Sequence, residues 1–171
     1  GLSAFKLSSN ENPMPPLPSV IDVIASAAQH INRYPDPLVS ELTQALATSL
    51  GVDSEMIATG TGSVGVCQQI VQAVTDAGDE VIFAWRSFEA YPIIATIAGA
   101  TSVMVPLNDA WGHDLSAMAD AITPRTAVVF VCTPNNPTGT SVSSHDFDEF
   151  MKRVPKDVLV VIDRSEEHTS E

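Results

Sequence analysis

The sequence predicts an α/β fold, a three-layer sandwich with helices on both faces of a mostly parallel sheet. Three observations carry this expectation. Short runs rich in Val, Ile and Phe recur at 80–84, 101–106, 127–132 and 158–163, and they are mostly apolar instead of strictly alternating. Strands buried on both faces read this way, and parallel sheets are the ones buried on both faces. Segments of helical period separate the runs, as β-α-β crossovers require. Polar, turn-forming motifs then follow the strands, where an open α/β sheet presents its ligand-binding edge.

Taken in order, residues 1–18 concentrate Asn10, Asn12, Pro13, Pro15, Pro16 and Pro18 and read as an extended arm. Ser19 is the expected cap of a first helix over 20–31, with Val20, Ile24, Ala27, Ala28 and Ile31 on one face. Asn32-Arg33-Tyr34-Pro35-Asp36 breaks it. Pro37 suits the first position of a second helix, with Leu38, Leu42, Ala45, Leu46 and Leu50 inward and Gly51 as its stop. A strand is expected over 56–59, then Gly60-Thr61-Gly62-Ser63 and a helix reaching Thr75. Ala77-Gly78-Asp79 turns into the strand 80–84. A helix over 88–98 follows, with Pro92 in its first turn or bending it. The strand 101–106, a loop through Trp111-Gly112-His113, a helix over 115–122 and the strand 127–132 come next. A loop rich in Asn and Pro, a helix over 145–153 and the strand 158–163 complete the series. The expected organisation is an N-terminal arm and first helix over 1–36, then a larger domain over 37–163.

With 171 residues, 44% hydrophobic and 17% charged, the chain has the composition of a globular domain and not of a disordered segment. A net charge of −13 with eight Lys plus Arg disfavours nucleic acid and anionic membrane surfaces as partners. No apolar run approaches the ~20 residues of a membrane-spanning helix, and no signal peptide is expected. Cys67 and Cys132 lie far apart in apolar segments and are expected as buried free thiols in a reducing cytoplasm. His30, His113 and His145 have no ligand-like spacing to one another or to the cysteines, so no metal site is expected. The final octet, Arg164-Ser165-Glu166-Glu167-His168-Thr169-Ser170-Glu171, reads like the translated start of a sequencing-library adapter, an ordinary charged tail being the plain alternative. Residues 164–171 are therefore expected to be a non-native tail.

The sharpest chemistry lies in Thr133-Pro134-Asn135-Asn136-Pro137-Thr138-Gly139 and in Asp163, each closing an apolar strand. A lone carboxylate at the end of a buried strand is unfavourable unless it is paired. A protonated pyridine nitrogen is such a partner, and a helix cap is the plain alternative. The Asn136 amide could meet a ring hydroxyl, or its own backbone in an Asx turn. Together the two groups suit the two sides of a pyridine ring, and the expected cofactor is pyridoxal phosphate. Gly60-Thr61-Gly62-Ser63 enters a helix and could hold a phosphate on free N–H groups, or be an ordinary tight turn. Trp85-Arg86-Ser87-Phe88-Glu89-Ala90-Tyr91 offers aromatics either for stacking on a planar cofactor or for the core.

These motifs, in this order and with Ser9-Asn10-Glu11-Asn12-Pro13 and Ala77-Gly78-Asp79-Glu80, resemble the fold-type I, class I/II aminotransferases. Within that class the chain is most similar to the histidinol-phosphate aminotransferase family, on its aromatic-amino-acid branch. The resemblance covers residues 6–163. It implies that Gly62, Ser63 and Val64 contact the cofactor phosphate, that Phe88 stacks on the ring, that Asn136 bonds the ring hydroxyl and that Asp163 bonds the ring nitrogen. It further implies that Tyr34 reaches the phosphate of a homodimer partner and that Asn12 lies over the substrate. The implied substrates are an amino acid, aromatic or histidinol phosphate, and a 2-oxo acid such as 2-oxoglutarate.

The chain also departs from the family. Arg164-Ser165-Glu166 stand where the family has Glu-Ala-Tyr, and Lys6, Lys152 and Lys156 lie outside the context of a Schiff-base lysine. The chain alone is thus expected to be inactive. Threonine-phosphate decarboxylases share much of the pattern, and a non-catalytic cofactor-binding remnant is a further alternative. A nucleotide-binding module would need an acid after the second strand, where Phe83-Ala84-Trp85 has none.

Overall fold

The computed structural model describes residues 10–165. The chain divides into two units, Gly1–Ile57 and Ala58–Glu171. In the first, helix α1 spans Pro18–Ala27 and runs on into a single 3-10 turn, Ala28–His30. Pro18 takes the first helical position, where its preset φ is favourable, so Ser19 lies inside the helix and Leu17 is the cap residue. Helix α2 spans Ser40–Leu50, starting later than Pro37. The Asp36 carboxylate accepts from Leu38 N at 2.9 Å and Ser40 N at 2.8 Å, and Val39 adopts a left-handed φ of 49°, so the chain turns before it coils. Gly51 stops α2 at φ 67°. The expected strand over 56–59 does not form. A 3-10 turn, Ser54–Met56, occupies its start, and none of the four strands pairs with the segment. The helix over 40–50, assigned from sequence to the larger domain, falls in this first unit.

The second unit alternates helix and strand: α3 Gly62–Val74, β1 Glu80–Trp85, α4 Ala90–Ile97, β2 Thr101–Pro106, α5 Leu115–Asp120, β3 Thr126–Cys132, α6 Ser144–Met151 and β4 Leu159–Asp163. All pairings are parallel, in the order β2-β1-β3-β4. Alternate residues of the central strands feed two cores. Val81, Phe83, Val128 and Phe130 meet Cys67 and Val71 of α3 and Tyr91, Ile94 and Ala95 of α4. Ile82, Ala84, Val129 and Val131 meet Leu115 and Met118 of α5 and Phe150 of α6. Helices therefore cover both faces, the three-layer arrangement expected. Each large apolar side chain in these cores contributes about 1.5–3 kcal/mol by leaving water.

At the amino edge of the sheet, Glu80 is buried and accepts from Thr123 Oγ1 at 2.6 Å, Arg125 Nη2 at 2.6 Å and Thr126 Oγ1 at 3.2 Å. The Thr123 bond, then Arg125 and Thr126, hold its carboxyl below the usual range against the opposing effect of burial. The carboxyl edge is where topology places a site. The crossover from β1 leads outward to β2, and the one from β3 leads the other way to β4. The crevice between the ends of β1 and β3 is thus the switch point of the sheet.

Candidate functional site

Helix α3 delivers its start to that same edge. It ends at Val74, one turn before β1 begins, so its C-terminus lies at the amino edge and Gly62 at the other. No side chain caps α3, and Gly62 N turns back to Gly60 O at 3.0 Å, leaving the following N–H groups directed outward. Gly62 has a left-handed φ of 72° with nothing within 4 Å of where a Cβ would stand. Ser63 is half-buried and Val64 exposed. A helix start of this kind, open and bare of acid, is an anion site.

The loop after β3 is organised by Asn135, not by Asn136. Asn135 is 2% exposed, and its amide meets four partners. Nδ2 donates to Arg86 O at 3.1 Å and to Thr138 Oγ1 at 2.8 Å. Oδ1 accepts from Ser87 Oγ at 2.7 Å and from His113 Nε2 at 3.1 Å. Because the Arg86 carbonyl can only accept, the amide orientation is fixed, and His113 must carry its proton on Nε2. His113 Nδ1 is then the bare nitrogen, buried and without a partner among the described residues. Burial holds the His113 pKa below its ordinary value, against the bond to Asn135. One side chain thereby ties together the loops that follow β1, β2 and β3. Asn136 is half-buried beside it, and its N–H works to lower the Cys132 thiol against the larger raising effect of burial. The peptides Thr133-Pro134, Asn136-Pro137 and Trp85-Arg86 are cis.

Asp163 closes β4 opposite Cys132 and is 7% exposed. Its Oδ2 accepts from Tyr91 Oη at 2.6 Å, and its Oδ1 accepts from Ser165 N at 3.0 Å and from Ser165 Oγ. The carboxylate faces the α3 side of the sheet: burial, then the charge of Asp163 and Cys132, push the Cys67 thiol up to about 11. Cys67 and Cys132 are both free and buried. Phe88, half-buried, stands edge-on to Tyr91 with centroids 5.6 Å apart. Arg86 lies 4.5 Å over the Trp85 ring.

The structure thus gathers Gly62, Ser63, Val64, Phe88, Asn136 and Asp163 at the carboxyl edge of one sheet. Tyr34, fully exposed, and Asn12, whose Oδ1 accepts from Met14 N at 2.9 Å, belong to the first unit. Sequence reasoning missed Asn135, His113 and Tyr91. The bonds that join them across the edge span 22 to 72 residues of sequence. A groove of about 710 Å³ runs along α5 and α6, lined by residues that include His113, Asp114 and Arg153. None of the expected site residues lines it. A second, of about 570 Å³, adjoins the ends of β1 and β2 between Trp85 and Trp111. Among the described residues, no three His, Cys, Asp or Glu side chains are placed to hold a metal ion, and no helix is long and apolar enough to cross a membrane.

The sequence profile of the family "Aminotransferase class I and II" matches residues 3–165, and the chain belongs to that family. Among curated relatives, it is 59% identical over 165 residues to an aromatic amino acid aminotransferase of Streptomyces avermitilis, covering 96% of this chain and 46% of that protein. It is 57% identical over 162 residues to an aromatic amino acid aminotransferase of Rhodococcus jostii, covering 95% and 45%. The chain spans about half the length of the curated relatives it matches. Among solved structures, the histidinol-phosphate aminotransferase of Sinorhizobium meliloti in complex with pyridoxal-5'-phosphate superposes with a TM-score of 0.78 at 31% identity, covering 86% of this chain and 40% of that one. A Thermus thermophilus aspartate aminotransferase mutant gives 0.80 at 27% identity, covering 95% and 50%.

Proposed function

We propose that the chain forms the cofactor-holding part of a pyridoxal-phosphate-dependent transaminase that moves an amino group between an aromatic amino acid and a 2-oxo acid such as 2-oxoglutarate. One observation carries the reading: an uncapped helix start and a buried carboxylate, the two groups that suit opposite ends of the cofactor, share one sheet edge. The donor set fits the cofactor. Three hydrogen bonds reach the two Asp163 oxygens, so a lone pair stays available for a ring N–H. When bound, pyridoxal phosphate supplies an electron sink for the carbanion left by loss of the substrate α-proton. Asp163 would hold the proton on the ring nitrogen. The N–H groups of Gly62, Ser63 and Val64 would bind the phosphate, Phe88 would cover a ring face, and the Asn136 amide would donate to the ring hydroxyl. Tyr34 would serve the phosphate of the second subunit of a homodimer, and Asn12 the substrate. The names of relatives more than 50% identical favour aromatic substrates over histidinol phosphate, and a cytoplasmic enzyme fits this chemistry.

Neither described lysine stands at the site. α6 ends at Met151 and β4 begins at Leu159, so Lys152 and Lys156 lie at the amino edge. Five strand residues at ~3.3 Å each separate them from Asp163, beyond the reach of a lysine side chain. The chain by itself is therefore proposed to bind cofactor without turnover. The test is titration of the purified chain with pyridoxal phosphate, followed by absorbance and by borohydride treatment. Saturable binding that Asp163→Ala weakens, and that borohydride does not fix to a lysine, is the expected result. No saturable binding would overturn the reading, and transamination by the chain would overturn the claim of inactivity. In the whole protein, phenylalanine should outcompete histidinol phosphate as amino donor.

A further inference from the structure

We propose that Tyr91 is a positioning residue of this site, its hydroxyl fixing the Asp163 carboxylate while its ring fixes Phe88. The inference rests on the reading of the site as a pyridoxal-phosphate cradle. Tyr91 is 1% exposed, in the first turn of α4, three residues after Phe88. Its Oη donates to Asp163 Oδ2 at 2.6 Å across 72 residues of sequence. Its ring stacks on Phe130 of β3 with centroids 4.5 Å apart and planes 17° apart, and meets the Phe88 edge at 5.6 Å and 89°. A side chain packed against a central strand is held in place, and it restricts the groups it touches.

Asp163 is the last residue of β4, its backbone paired opposite Cys132, and among its side-chain oxygens Ser165 holds only Oδ1. Tyr91 supplies the contact that ties the carboxylate to the core. Burial, with Asp163 adding to it, pushes the phenol far above its ordinary range, so the hydroxyl keeps its proton and acts as a donor. One residue therefore sets both the group that would meet the ring nitrogen and the group that would cover the ring face.

The probes are pyridoxal phosphate and its 1-deaza analogue, which keeps phosphate, aldehyde and ring hydroxyl but has carbon in place of the ring nitrogen. Equilibrium binding of both is measured for the chain and for Tyr91→Phe, which preserves the stacking ring and removes the hydroxyl. The variant should bind pyridoxal phosphate about tenfold more weakly and the deaza analogue within about twofold of the original. An equal loss for both, as a merely structural role would produce, overturns the proposal; so does no loss for either. A measurement that needs no variant runs beside it: the Tyr91 Cζ carbon resonance should shift on binding pyridoxal phosphate and stay in place on binding the deaza analogue. The same response to both would count against the proposal. If the unsubstituted chain binds neither probe, the reading of the cradle fails and this inference falls with it.

Discussion

Replacing Asn135 by Ala should cost more stability than any other polar substitution at the carboxyl edge. The side chain is 2% exposed and fills all four of its hydrogen-bonding positions, to Ser87, His113, Arg86 and Thr138. A buried hydrogen bond contributes about 1 kcal/mol net, and the variant strands partners in a site that water reaches poorly, so the expected loss is about 3–5 kcal/mol. Urea unfolding followed through Trp85 and Trp111 fluorescence would read it. With a slope of roughly 2 kcal/mol per molar urea, the midpoint should fall by about 2 M. Asn135→Asp sets a carboxylate oxygen against the Arg86 carbonyl in a buried site with no paired cation, and should lose at least as much. A loss below about 1 kcal/mol for Asn135→Ala would show that the amide does not join the three loops, and the reasoning would be refuted.

Burial lowers the His113 pKa from 6.5, so below that value the unfolded chain binds a proton that the folded chain does not. Stability should therefore fall as pH drops through about 6.5, and His113→Gln should flatten the dependence when urea midpoints at pH 5.5 and 7.5 are compared. Both thiols are buried with raised pKa values, Cys67 to about 11, so a disulfide reagent at pH 8 should react with the native chain on the order of a hundredfold more slowly than with the unfolded one. Reaction at equal rates would place the thiols at the surface. Gly62→Ala meets no atom within 4 Å but forces a left-handed residue, and should cost about 1 kcal/mol in a denaturation curve while weakening pyridoxal-phosphate binding several-fold. Unchanged affinity would remove the start of α3 from the phosphate site.

The sheet was legible because parallel strands buried on both faces leave an unmistakable trace. The runs 80–84, 127–132 and 158–163 all fold as strands, and the helices between them fill the expected faces. Where the reading failed, a local preference lost to a local competitor or lacked a partner. Pro18 displaced Ser19 at the start of α1, and the Asp36 carboxylate delayed α2 past Pro37. The segment 56–59 has strand-like residues, but a strand exists only where another pairs with it. Asp163 was legible as a lone carboxylate closing an apolar run. Asn135 was not: it is adjacent to Asn136 and identical to it in composition. Its distinction comes from Ser87 and His113, which only the tertiary fold brings near.

Because β1 and β3 are neighbours with β2 outside them, the contacts that join the loops of the carboxyl edge span long stretches of sequence. Ser87 waits for Asn135, 48 residues on, and Tyr91 for Asp163, 72 residues on. Closing such loops is entropically costly and slow compared with coiling α3 or α4. The helices can form and collapse onto one another while the edge is still absent. Hence no early folding species should capture a ligand there. Refolding followed by ligand capture should lag refolding followed by helix content, and the ligand would report the completion of folding instead of its progress.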